Sequence, residues 1–409
     1  MTTIVKAADA AEFLSLIPCM LGYVPTRSLV LIPFAGSRSL GAMRFDLPDG
    51  GEPDAVDRIS ATVIGMVCRL PDADAVAAIT YTDERISTSE RMPHLDLIDA
   101  LGRRADACGL RTADALCVAA DGWGSFLDPE CPAEGRPLAA LEAVSAPVEG
   151  LPDPCGDQAS GAELPVVGLA QTERVAHALL ALGRAVEVLC GTDGPGPNRS
   201  RGPAMDDAVP AASASASGSG DPERIDPRAL AAVCALDDLP ALFEQALTWQ
   251  ADELEPYDAA ALVWCLARPS LRDIALVQWS GTLAAGDEAF DAQLRWEAGE
   301  EYPVHLAMQL WGEGERPDAD RLERALQLTR HVAACAPRDE RPGALAMCAW
   351  LSWALGRSTH AEVYALEACD IEPEHGLSEI VSSFVHAGHL PDWAFRRSAD
   401  GRTASEGLT

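Results

Sequence analysis

Three acidic side chains stand where acidic side chains can do chemistry: Asp83 and Glu84 in YTDER, and Asp121 in DGWGS. Each group follows a run that reads as a buried strand, and in parallel α/β units ligands lie beyond the carboxyl ends of the strands. If those strands are neighbours, the three carboxylates converge near Trp123. Two or three carboxylates against an aromatic wall could hold Mg²⁺ or act as an acid/base pair. The plainer reading, which the sequence favours, is solvated loop carboxylates, because the 409 residues carry a formal charge of -32.

A second candidate surface lies in IPCMLGYVPTRSLVLIPF, residues 17–34. Its loop GYVPTRS holds Tyr23, Arg27 and Ser28, which with Trp123 make up the candidate binding-surface residues. Gly22 and Pro25 also suffice for a plain chain reversal. The loop lacks the multiple glycines and following helix of a phosphate loop. Elsewhere the sequence has no HExxH, GxSxG, GxxxxGK[ST] or dinucleotide fingerprint. His386 and His389 have a metal-compatible spacing without a third ligand nearby in sequence. No cofactor is expected.

The elements that must position these residues are legible in outline. SLVLIPF (28–34) and LGAMRFDL (40–47) flank the turn-rich AGSRS and pair as an antiparallel hairpin. SLVLIPF is apolar at successive positions, which suits an inner strand covered on both faces, with Pro33 at its end. An opening helix precedes it, over about residues 9–16. Val56, Ile59, Val63, Met66, Val67 and Leu70 recur at helical spacing behind an acidic start. Strand 74–81, helix 93–108 and strand 114–120 then form a parallel crossover unit.

These elements imply an α/β domain over residues 1–190 with a mixed sheet. Residues 191–225, rich in Gly, Pro, Ser and Ala, cannot bury enough apolar surface to offset the entropy of ordering, and read as a flexible linker. From 226 to 395 the pattern is helical throughout, and 396–409 reads as a disordered tail. Ser270 and Asp273 have capping-box spacing. PGALAMCAWLSWALGRSTHAEVYALEACDIEPEHG resembles one tetratricopeptide unit, with Gly356, Ala361, Ala368 and Pro373 at the expected offsets. Such repeats present binding grooves rather than chemistry.

Composition narrows the function classes. An acidic chain repels phosphate backbones and anionic membranes, and its basic residues form only isolated pairs such as Arg103-Arg104 and Arg396-Arg397. No nucleic-acid or membrane partner is expected. The twelve cysteines are scattered without a CxxC, which suits small core residues in a reducing cytosol. FLSLIPCMLGYV is apolar, but Asp9 and Glu12 stand where a signal would be basic, and Pro18 and Gly22 interrupt it. A cytoplasmic location is expected.

Four stretches in this order resemble an uncharacterised actinobacterial family, the domain of unknown function 4192. They are FLSLIPCMLGYVPTRSLVLIPF, DPECPAEGRPL, AALVWCLARPSLRDIALVQW and AWLSWALGRSTHAEVYALEACDIEPEHGL. The resemblance implies an α/β start and a helical end, and supplies no activity. The leading expectation is a non-catalytic intracellular module that engages a protein partner or small effector. The alternative is a metal-assisted hydrolase using Asp83, Glu84 and Asp121.

Overall fold

Asp9 opens the first helix, its carboxylate accepting the Glu12 N–H at 2.9 Å as an N-cap does. Helix α1 (Ala10–Leu21) runs through Pro18 and ends at Gly22, whose φ of 82° lets its N–H turn back to the Pro18 carbonyl at 2.7 Å. The sequence places the helix end near residue 16; burial of Leu14 and Ile17 against the sheet carries it past the proline. The computed structural model describes residues 7–48, 53–89, 91–144, 153–190 and 225–396. The expected linker and tail fall almost wholly outside these residues.

Strands β1 (Ser28–Ala35), β2 (Arg38–Ser39) and β3 (Met43–Asp46) follow, with β2 and β3 both antiparallel to β1. Helix α2 (Pro53–Cys68) leads to β4 (Ala75–Tyr81), helix α3 (Leu95–Ala107) to β5 (Arg111–Val118), and β6 (Trp123–Ser125) closes the edge. The sheet order is β2-β1-β4-β5-β6, with β3 beside β1. β1 meets β4 antiparallel, Ser28 opposite Tyr81, and β4 runs parallel to β5. The hairpin, the mixed sheet and the parallel crossover are therefore present.

Successive residues of β1 and β4 serve opposite faces, as strand geometry requires. Leu29, Leu31, Val76 and Ala78 pack under α2 and α3. Val30, Ile32, Ala77 and Ile79 face α1 and, beyond it, α4 (Ala139–Val144). This double cover explains the unbroken apolar run of SLVLIPF, and Pro33 lies near the strand's end, opposite Val76.

Beyond this sheet the described chain is helical: α5 (Leu169–Cys190), α6 (Pro227–Ala235), α7 (Leu239–Ala246), α8 (Pro256–Leu266), α9 (Pro269–Ser280) and α10 (Leu283–Glu297). The series continues with α11 (Val304–Leu310), α12 (Ala319–Cys335), α13 (Pro342–Ala354), α14 (Ser358–Ile371) and α15 (Gly376–His386). Two units result, one of Met1–Glu163 with Ala387–Thr409 and one of Leu164–His386. The sequence boundary at residue 190 thus differs from the structural one. Helix α5 packs on α6 and α8, because Ala178 and Leu182 share a core with Ala232, Ala260 and Ala261.

Helix α13 is buried along its whole length, Trp350 and Trp353 included. It forms a hairpin with α14, joined at Gly356 with φ 79°, where Ala361, Ala365 and Ala368 allow close approach. The capping-box reading of Ser270 and Asp273 is corrected. Pro269 starts α9 earlier, its fixed φ suiting the first helical turn, and Asp273 instead accepts from the Arg272 guanidinium at 2.9 and 3.0 Å.

Candidate functional site

A cavity of about 490 Å³ opens at the carboxyl end of β4. That volume falls in the range of small-ligand pockets. Its position follows from the strand directions: β4 ends there, β1 begins there, and α2 and α3 both start there. The polar lining comes from Arg27 before β1, Thr82, Asp83 and Glu84 after β4, and Arg91, His94 and Asp96 around the start of α3. Leu47, Pro48, Val56, Met92, Leu95 and Leu97 complete the walls.

The backbone is under strain at two points of this lining. Arg27 has φ 44° and His94 φ 63°, and among the described residues no other non-glycine has positive φ. Side chains with a Cβ rarely adopt that region, and such residues cluster at ligand sites. The His94 conformation also delays the helix: the sequence places its start at Pro93, whereas α3 begins at Leu95 with no side-chain cap. Leu95, Asp96 and Leu97 of its first turn line the cavity.

His94 Nε2 lies 3.1 Å from Thr82 Oγ1 and 3.7 Å from Glu84 Oε1. Burial pushes its imidazole pKa below the ordinary value, and the Glu84 charge partly restores it. Thr82 also accepts the Glu84 N–H at 3.2 Å, while its own N–H donates to the Val118 carbonyl. Thr82, Glu84 and His94 are thus held together as a unit at the strand end.

The structure brings Arg27, Asp83 and Glu84 to the cavity and separates the other sequence candidates from it. The expected convergence of three carboxylates is corrected. Asp121 accepts the Ile86 N–H at 2.8 Å, the Ser87 N–H at 3.2 Å and the Ser87 hydroxyl, which together fix the short turn Ile86–Thr88. The Ser87 bond above all lowers its pKa. A carboxylate so engaged is a structural anchor rather than a free ligand. Among the described residues, no group of three or more His, Cys, Asp or Glu side chains could hold a metal ion.

The binding-surface candidates divide in the same way. Ser28 is fully buried, donating to the Thr26 carbonyl and accepting from Arg44 Nε, both at 2.7 Å. Trp123 is buried in β6 with the Arg136 guanidinium 5.2 Å from its ring, so neither residue offers surface. Tyr23 is half-buried; burial raises its hydroxyl pKa, Arg44 opposing and Asp46 adding. Of the four, Arg27 alone lines the cavity.

The loop around Arg27 is held by a segment far away in sequence. Gln158 takes the Thr26 N–H and returns its amide to the Thr26 carbonyl, both at 3.0 Å. Val24 donates to the Gly156 carbonyl and Cys155 to that of Gly22. GYVPTRS is therefore a pinned corner whose Arg27 lines the cavity. Sequence reasoning missed Thr82, Arg91 and His94, and MPHLDL carries no local mark that His94 would take a left-handed conformation.

An α/β unit with a strand-end cavity, followed in sequence by an all-helical unit, is the class this architecture defines. The family model described as "Domain of unknown function (DUF4192)" matches residues 11–320, and the chain belongs to that family. No curated protein and no solved structure matches the chain. Among the described residues no helix is long and apolar enough to cross a membrane.

Proposed function

We propose that this chain is a non-catalytic cytoplasmic module whose α/β unit binds a small effector in the cavity at the end of β4. The observation that carries the reading is the pairing of the two left-handed residues, Arg27 and His94, on one cavity. Strain of this kind persists where the surrounding structure enforces it, commonly at ligand sites. Arg91 together with Asp83 and Glu84 gives the lining both signs of charge. The ligand class that suits it is a small molecule carrying a cationic and an anionic group, such as a free amino acid or dipeptide.

Thermal melts against the twenty amino acids and a dipeptide panel test this, since a ligand bound by the native state alone raises the melting temperature. One or a few zwitterions should raise it saturably, and Asp83→Asn or Arg91→Gln should weaken the response. Equal shifts with singly charged analogues, or none with any zwitterion, would reject the reading.

A second reading, a hydrolase, has one observation of its own: the Thr82 hydroxyl lies within hydrogen-bond reach of a histidine at a cavity, and burial lowers the pKa of that histidine. It predicts ester turnover that Thr82→Val and His94→Gln both abolish. A metal-assisted form would have to rely on Asp83 and Glu84 without Asp121. Unchanged melting in millimolar Mg²⁺ would count against it.

A further inference from the structure

The strand directions that put the cavity at one end of the α/β unit bring two cysteines together at the other. β3 and β4 are each antiparallel to β1 and so parallel to one another, and β4 is parallel to β5. Helix α2 joins β3 to β4, and α3 joins β4 to β5, on one face of the sheet. Two such crossovers run their helices in the same direction. Both helices start at the cavity and finish at the far end, packed through Ile64, Val67, Leu101 and Ala105.

The last residue of α2 is Cys68 and the residue closing α3 is Cys108, and both are exposed. At that shared end the two thiols influence each other: burial first, and then Cys108, raise the Cys68 pKa. The sequence reading of the cysteines as core residues does not cover this pair.

We propose that Cys68 and Cys108 form a redox modification site, closing an intramolecular disulfide with a low-molecular-weight disulfide as oxidant. One protein thiolate attacks the small disulfide, breaks its S–S bond and releases one small thiol, leaving a mixed disulfide. The second protein thiolate attacks the protein sulfur of that mixed disulfide and expels the other small thiol. Two protein thiols are oxidised, one small disulfide is reduced to two thiols, and the two protein protons pass to the products. Closure ties together the far ends of the two helices whose first turns line the cavity.

The test incubates the full chain with oxidised glutathione under native conditions and maps it, unreduced, by peptide mass spectrometry. The expected product is a Cys68–Cys108 cross-linked peptide pair without glutathione on either residue, while exposed Cys155 and Cys234 carry adducts. In Cys68→Ser, Cys108 should keep its glutathione. Adducts on both Cys68 and Cys108 of one molecule would overturn the proposal. So would linkage of either to another cysteine, or inertness of both while Cys155 reacts.

Discussion

The two units differ in where a prominent cluster of polar side chains lies. In the helical unit one part-buried polar network ties three helices together: Glu244 of α7 takes the Arg321 guanidinium of α12 at 2.5 and 2.8 Å and the Gln278 amide of α9 at 3.0 Å. Arg321 is the first cause holding the Glu244 carboxyl below its usual range. The buried indoles behave alike, Trp279 donating to the Phe243 carbonyl and Trp350 to that of Leu310. In the α/β unit, Arg27, Asp83, Glu84, Arg91 and His94 line an open cavity. Polar groups matched inside a fold stabilise and specify it, whereas polar groups on a cavity wall are placed where a ligand would meet them.

The largest expected effects come from the two cores, and they should be alike in size if the contrast lies in polar placement alone. Trp350→Ala, in a fully buried helix, should cost ~3–5 kcal/mol, and Leu29→Ala, in a doubly covered strand, ~2–5 kcal/mol. Denaturant melts measure both. A loss below ~1 kcal/mol for Trp350→Ala would mean that the tryptophans belong to a groove after all.

Next comes pH, where a histidine in each unit can be compared. Burial, with the Arg272 charge adding to it, pushes His375 down to about 4, and its Nδ1 lies 3.0 Å from Ser378 Oγ. Its folded pKa lies below the unfolded value, so its contribution is complete above about pH 6.5 and disappears as pH falls towards the folded value. His375→Gln should flatten up to about 3 kcal/mol of acid destabilisation in melts between pH 7 and 4. His94 has the same sign, but Glu84 opposes its shift, so His94→Gln should flatten the profile less. A larger effect at His94 would show that the cavity histidine is the more tightly held.

A smaller pair of effects should differ in sign. A methyl group on Gly343 of α13 would lie 2.3 Å from the Leu266 carbonyl oxygen of α8, a backbone atom that cannot step aside. Gly343→Ala should therefore destabilise by ~1–3 kcal/mol. Gly65 of α2 is exposed with nothing within 4 Å, so Gly65→Ala should stabilise by ~0.5–1 kcal/mol through helix propensity. Equal signs in thermal melts would remove this difference between the units.

The smallest effect is the most diagnostic of the cavity. Arg27→Gly, which suits φ 44°, should leave stability within ~0.5 kcal/mol or raise it slightly, while weakening effector binding. A large loss of stability would show that Arg27 holds the fold together rather than serving the site.

The sequence by itself determined the elements and their class. Apolar runs marked β1, β4 and β5, helical spacing marked α2 and α3, and a strand-helix-strand order required the parallel crossover, because these patterns come from local geometry and burial. It also placed Arg27, Asp83 and Glu84 at corners and strand ends. Tertiary structure alone decided that Asp121 caps the turn at Ile86, that Gln158 pins Thr26, that α5 packs among the helices, and that His94 and Thr82 meet. Each depends on a partner distant in the chain or on a backbone angle imposed by the assembled fold, and no local pattern encodes either.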